Sequence, residues 1–185
     1  VIDAVYDDAR EGMEKAIKSL KGEFKKVRTG RASLALFEDI RVDYYGTPTP
    51  LKQMASLSVP ESRLVIIQPW DKTVIKEIEK EILKSELGLT PMNDGNIIRI
   101  SIPPLTEDRR KDLVKQVRKI AEEYKVSIRN VRRDANELLK TMKKDGEISE
   151  DDFFKAQEQI QGITDEHIKL ADEAYQEKEK EILEF

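Results

Sequence analysis

Lys111, Lys115, Arg118, Arg129, Arg132, Arg133, Lys140 and Lys143 recur at helical spacing, with Lys125 in the same row. At about 100° per residue, with Lys125 as zero, all of them fall between about −20° and +80°. The apolar residues of the segment centre near −90°. Most of its carboxylates lie further round, near 100° to 180°, with Glu122 the exception. A cationic row therefore stands beside the apolar face, where core packing does not require one. Such a row can touch several phosphates, each contact releasing counterions. Arg129-Asn130-Val131-Arg132-Arg133 is its densest part. The planar guanidinium fork matches phosphates and stacks on bases, which suits folded RNA. Lys25, Lys26, Arg28 and Arg31 form a second cationic cluster. Aromatics are only 6% of the chain, which argues against single-strand binding by base stacking. The competing explanation is a solvated face, or one neutralised by an acidic neighbour.

Other chemistry has little to build on. The chain has one histidine and no cysteine, so thiolate ligands, disulfides and Cys/His dyads are out. His167 falls on an apolar helical seam and reads as a core histidine, not as a base. No Gly-rich phosphate loop or hydrolase motif is present. The expectation is a binding protein, not an enzyme, with no cofactor and no metal. No apolar run approaches the roughly 18 residues of a membrane span. The first residues do not read as a signal peptide, so a soluble, cytoplasmic protein is expected.

The elements that must position the cationic row follow from charge and periodicity. The net charge of −4 conceals a segregation. Residues 105–144 carry 13 Lys/Arg against 7 Asp/Glu, and residues 145–185 carry 4 against 14. Three segments bear seams of apolar residues three and four apart. The first runs from Ile2 through Tyr6, Ala9, Met13, Ala16, Leu20 and Phe24 to Val27. The second comprises Val114, Val117, Ala121, Tyr124, Ile128, Val131, Ala135, Leu138 and Met142. The third runs Phe153, Ala156, Ile160, Ile163, His167, Leu170, Ala174. Thr106 caps the second helix and Gly146 stops it, giving about 38 residues, or roughly 57 Å. Ser149 caps the third. None of the three can bury its stripe alone, so a long three-helix bundle is expected.

Between the first two seams the pattern changes. Ile40–Tyr45, Arg63–Ile67 and Asn96–Ile102 read as short strands, broken by Gly46, Pro48, Pro50 and Pro69 and by a turn at Asn93-Asp94-Gly95. Thr73–Leu83 reads as a short amphipathic helix. The expected architecture is α+β, with a small β/α/β domain (31–103) inserted into a bundle made of 1–29 and 105–185, the bundle being the RNA-binding part. The chain crosses at Thr29-Gly30 and at Pro103-Pro104-Leu105. Gly30 permits unusual dihedrals and the diproline is stiff, so the crossings are read as a hinge.

Four stretches carry a resemblance: Val27-Arg28-Thr29-Gly30-Arg31-Ala32-Ser33, Tyr44-Tyr45-Gly46-Thr47-Pro48-Thr49-Pro50-Leu51, Pro103 to Lys111, and Arg129 to Asn136. Together with Ile148–Asp152 and Ile163–Glu166, they make the chain similar to the ribosome recycling factor family over its whole length. The resemblance implies an L-shaped, two-domain monomer that binds the ribosome at large-subunit rRNA near the inter-subunit bridges. It implies that, with elongation factor G and GTP, the protein separates the subunits after termination. It places Arg28, Arg31, Arg129, Arg132 and Arg133 at RNA contacts, with Lys125 and Arg118 in the same row. Thr29, Gly30, Pro103, Pro104 and Leu105 match the family's corner. The family often has arginine where Lys125 stands and asparagine where Thr90 stands.

Overall fold

The computed structural model describes residues 1–184; Phe185, expected at the end of the bundle, lies outside the described residues. The chain divides into two compact units, one of residues 1–27 and 110–184, the other of residues 28–109.

The first unit consists of three long helices: α1 (Ile2–Lys26), the greater part of α3 (Glu107–Lys144), and α4 (Glu150–Glu184). Their ends follow local chemistry. The Arg109 amide donates to Thr106 Oγ1 at 3.2 Å, and the Asp152 amide to Ser149 Oγ at 3.0 Å. Each hydroxyl thus satisfies an amide that the first turn leaves without a partner. At the other end of α3, the Gly146 amide donates to the Lys143 carbonyl and the Glu147 amide to the Met142 carbonyl, at 3.1 and 2.9 Å. Gly146 has φ +76°, the left-handed geometry with which this paired closure ends a helix.

Small residues let α1 and α4 approach each other closely: Ala156, Thr164, Ala171 and Ala174 of α4 are buried. The Thr164 hydroxyl donates to the Ile160 carbonyl at 2.7 Å, and His167 Nδ1 donates to the Ile163 carbonyl at 2.7 Å. His167 is 3% exposed, a core histidine as expected.

The seam of α3 departs from expectation in one instructive way. Val117, Ala121, Ile128, Ala135 and Met142 are buried, but Leu138 is 49% exposed and Leu139 is fully buried in its place. Strict alternation of three and four averages 3.5 residues per turn, whereas a straight α-helix takes 3.6, so a heptad row drifts by about 20° per heptad. Val117, Tyr124, Val131 and Leu138 form such a row. Val117 is buried, Tyr124 and Val131 half-buried, and Leu138 exposed. The same drift leaves Leu170 of α4 at 37% exposure while Ala171 is buried.

The second unit is antiparallel. β1 (Arg41–Tyr44) pairs with β2 (Thr47–Pro50), and β3 (Ala55–Glu61), β4 (Leu64–Pro69), β5 (Pro91–Asn93) and β6 (Ile98–Ser101) form a sheet in the order β3-β4-β6-β5. Val65, Ile67, Ile98 and Ile100 face a core shared with Ile75, Ile78 and Ile82 of α2 (Ile75–Lys84). The expected strands at 40–45, 63–67 and 96–102 appear as β1, β4 and β6. β2, β3 and β5 were not expected, because each contains a proline. β2, β3 and β5 are all edge strands, where a missing amide costs least.

Candidate nucleic-acid interface

The cationic row of α3 resolves into two edges. The inner edge is tied to α4. Arg118 donates from Nε to the Tyr175 hydroxyl at 3.2 Å, with its guanidinium carbon 5.9 Å from the ring centroid. Lys125 bridges Asp172 and Glu122, the latter at 3.2 Å, and its side chain is only 13% exposed. Donation to Asp172 is the main cause that raises its pKa, against the opposing effect of burial. Arg132 donates to Gln161 Oε1 at 3.3 Å, and Gln161 in turn donates to Asp165. Lys143, at the end of the row, sits 4.5 Å from the Phe153 ring centroid.

The outer edge is different. Arg129 and Arg133 are exposed and make no hydrogen bond or ion pair among the described residues. On the projection they stand near +40° and +80°, turned away from the acidic helix, and Lys115 and Lys140 are exposed on the same side. Two arginines four residues apart on a straight helix lie one turn above the other, roughly 6 Å apart. Flexible guanidinium forks at that spacing can each take a separate phosphate oxygen.

In the second unit, Arg28 is half-buried, and its Nη2 is buried without a hydrogen-bond partner among the described residues. Burial lowers its pKa, and the nearby Arg109 guanidinium lowers it further. A guanidinium stays charged under such shifts. Arg109 is the cation that sequence reasoning did not single out; its place at the first turn of α3, beside Arg28 across the insertion, carries no local signal. Arg31 is exposed. Of the expected hinge residues, Thr29 is 5% exposed, Gly30 has φ +79°, Pro103 and Pro104 are exposed, and Leu105 is half-buried.

Among the described residues, no group of three His, Asp or Glu side chains could hold a metal ion, and no helix is long and apolar enough to cross a membrane. The surface that stands out is cationic, elongated and carried on a rigid helix.

Comparison with known proteins gives this surface its context. The family model described as "Ribosome recycling factor" matches residues 20–183. The chain is 60% identical to the ribosome-recycling factor of Desulfatibacillum aliphaticivorans over 185 residues, covering 100% of both chains. It is equally 60% identical to that of Desulfosudis oleivorans, again over the whole of both. Among solved structures, it resembles a solution structure of ribosome recycling factor with a TM-score of 0.79 and 42% identity, covering 100% of this chain and 98% of that one. It also matches, with a TM-score of 0.67 and 45% identity, over 99% of both chains, a T. thermophilus ribosome recycling factor described with E. coli elongation factor G bound to the E. coli post-termination complex. The chain belongs to the ribosome recycling factor family. The members of that family are translation factors and not enzymes.

Proposed function

We propose that this protein acts in the cytoplasm as a monomeric ribosome recycling factor. It binds large-subunit rRNA near the inter-subunit bridges and, with elongation factor G and GTP, splits the post-termination ribosome. The observation that carries the reading is the outer edge of α3, where Arg129 and Arg133 stand exposed and without protein partners. The similar T. thermophilus factor described on a post-termination complex with elongation factor G supports the partners.

Roles divide along the row. Arg129, Arg132 and Arg133 contact RNA, and Arg28 and Arg31 add contacts from the second unit. Arg118 and Lys125, which also belong to the RNA-facing row, hold α3 against α4 and so keep the outer edge straight. The test is subunit splitting, with and without elongation factor G and GTP, alongside the affinity for large subunits. Replacing Arg129 and Arg133 together by alanine should weaken binding and lower the log-log salt slope by about two, one for each phosphate lost. Unchanged affinity and slope would remove this edge from the mechanism.

Motion is the second part of the proposal. Thr29-Gly30 and Pro103-Pro104-Leu105 let the inserted domain swing while the bundle stays anchored. Gly30 already occupies a left-handed φ of +79° that valine disfavours. Gly30→Val should keep large-subunit affinity and slow splitting at saturation. Pro104→Gly should also slow splitting, because a slack return strand transmits force poorly. Wild-type splitting rates in both folded variants would discard the hinge.

A further inference from the structure

The heptad row that drifts out of the α3 core leaves an apolar surface uncovered on the side away from the cationic row. Val131 and Leu138 meet Val5 and Gly12 of α1 there, around a groove of about 300 Å³ rimmed by Asp8 and Asp134. Gly12 leaves it open: a Cβ at that position would come within 3.3 Å of both Val131 methyls. Leu138 is 49% exposed and Val131 half-buried, so both present methyl groups to the groove.

We infer that this groove docks a basic segment of a protein partner, one that inserts one or two aliphatic side chains between Val5, Val131 and Leu138 and pairs its lysines or arginines with Asp8 and Asp134. The volume sits at the lower bound of pockets that enclose a whole small ligand, so it suits a few side chains better than a cofactor. The charge selects among larger partners. Residues 1–14 carry Asp3, Asp7, Asp8, Glu11 and Glu14 against the single Arg10. A phosphate backbone would be repelled from this half of α1, although it is attracted to the outer edge of α3. A second copy of the chain would bring its own acidic rim in a two-fold arrangement, setting like charges against each other. A cationic peptide with aliphatic residues meets neither objection.

The surface is independent of the RNA-binding reading, because none of its residues belongs to the cationic row. It can be tested on the full chain with a short synthetic peptide of alternating lysine and leucine, labelled with fluorescein. Anisotropy gives the affinity, and amide chemical shifts give the location. The expected result is saturable binding with shifts at Val5, Gly12, Val131 and Leu138, weakened about tenfold by Asp8→Lys with Asp134→Lys. Leu138→Ser, at a half-exposed position, should weaken it as well. Each aspartate reversed singly should give an intermediate loss, which separates loss of docking from loss of fold.

The same peptide with glutamate for lysine should not bind, and a short RNA duplex should leave the groove shifts unchanged. Four results would overturn the inference: no saturable binding, shifts confined to the acidic α4, affinity indifferent to the aspartates, or groove shifts that instead track self-association in sedimentation.

Discussion

The two flanks of α3 differ in what covers them. On one flank Arg118, Lys125 and Arg132 reach across to Tyr175, Asp172 and Gln161 of α4. On the other, Val131 and Leu138 meet α1 only in part, and a groove remains. The cations are half-buried or exposed, as Val131 and Leu138 are. Yet the polar flank is bridged to its neighbouring helix by hydrogen bonds and an ion pair, while the apolar flank is left with a groove. Long cationic side chains explain it: they can span a gap to a neighbouring helix and still leave their stems packed against it. Valine and leucine cannot, so a small rotation of the helix leaves them at the surface. A helix flank is therefore closed by the reach of its side chains as much as by their affinity for water.

The sharpest way to break the comparison is at two adjacent residues. Leu139→Ala should destabilise the protein by about 2–5 kcal/mol, because a fully buried leucine leaves a cavity. Leu138→Ala should cost less than about 1 kcal/mol, since half of that side chain already meets water. Equal shifts of the denaturant midpoint would mean that the groove flank is core. Next in size is the setting of α3 itself, on which both flanks depend. Thr106→Ala and Gly146→Ala should each cost about 1 kcal/mol in the same titration, one by loss of the cap and the other by forcing a Cβ into left-handed geometry.

The polar flank can be sharpened by a double-mutant cycle. Lys125→Met with Asp172→Asn should show a coupling of about 0.5–1 kcal/mol, reduced by salt. The pair Arg129→Ala with Asp172→Asn should show none. A coupling for Arg129 equal to that for Lys125 would erase the distinction between the inner and outer edges.

The smallest effect is on alkaline pH dependence, where two lysines of the bundle act in opposite directions. The pKa of Lys125 is raised, chiefly by its bond to Asp172. Its contribution is full below the ordinary lysine value and is lost as pH rises through the raised one. Lys178, 8% exposed, is lowered, first by burial, with Glu181 at 3.5 Å opposing. The unfolded chain binds the proton more tightly there, so stability rises with pH between the lowered and the ordinary value. Lys178→Met should flatten that rise and Lys125→Met the later fall, in thermal unfolding across the alkaline range. The same pH profile in both variants would contradict the opposite assignments.

Much of this molecule was legible in its sequence because it rests on local rules. Thr106, Ser149 and Gly146 mark helix ends through bonds made within six residues. The alternating runs that became β1, β4 and β6 needed only the period of two. The cationic row was visible because a helix turns every residue by a fixed angle. The similarity to ribosome recycling factors was legible in four motifs. The rest depended on neighbours distant in the chain. Edge strands containing proline exist only because a partner strand stands beside them. Whether Leu138 or Leu139 enters the core depends on accumulated helical drift against the positions of α1 and α4, and a periodic sequence does not record that rotation. The division of the row into an inner edge held by Tyr175, Asp172 and Gln161 and an outer edge open to solvent required α4 to lie alongside. Sequence determines which charges share a helix face; tertiary packing decides which of them remain available, because an ion pair needs its partner within a few ångströms in space, however far away in the chain.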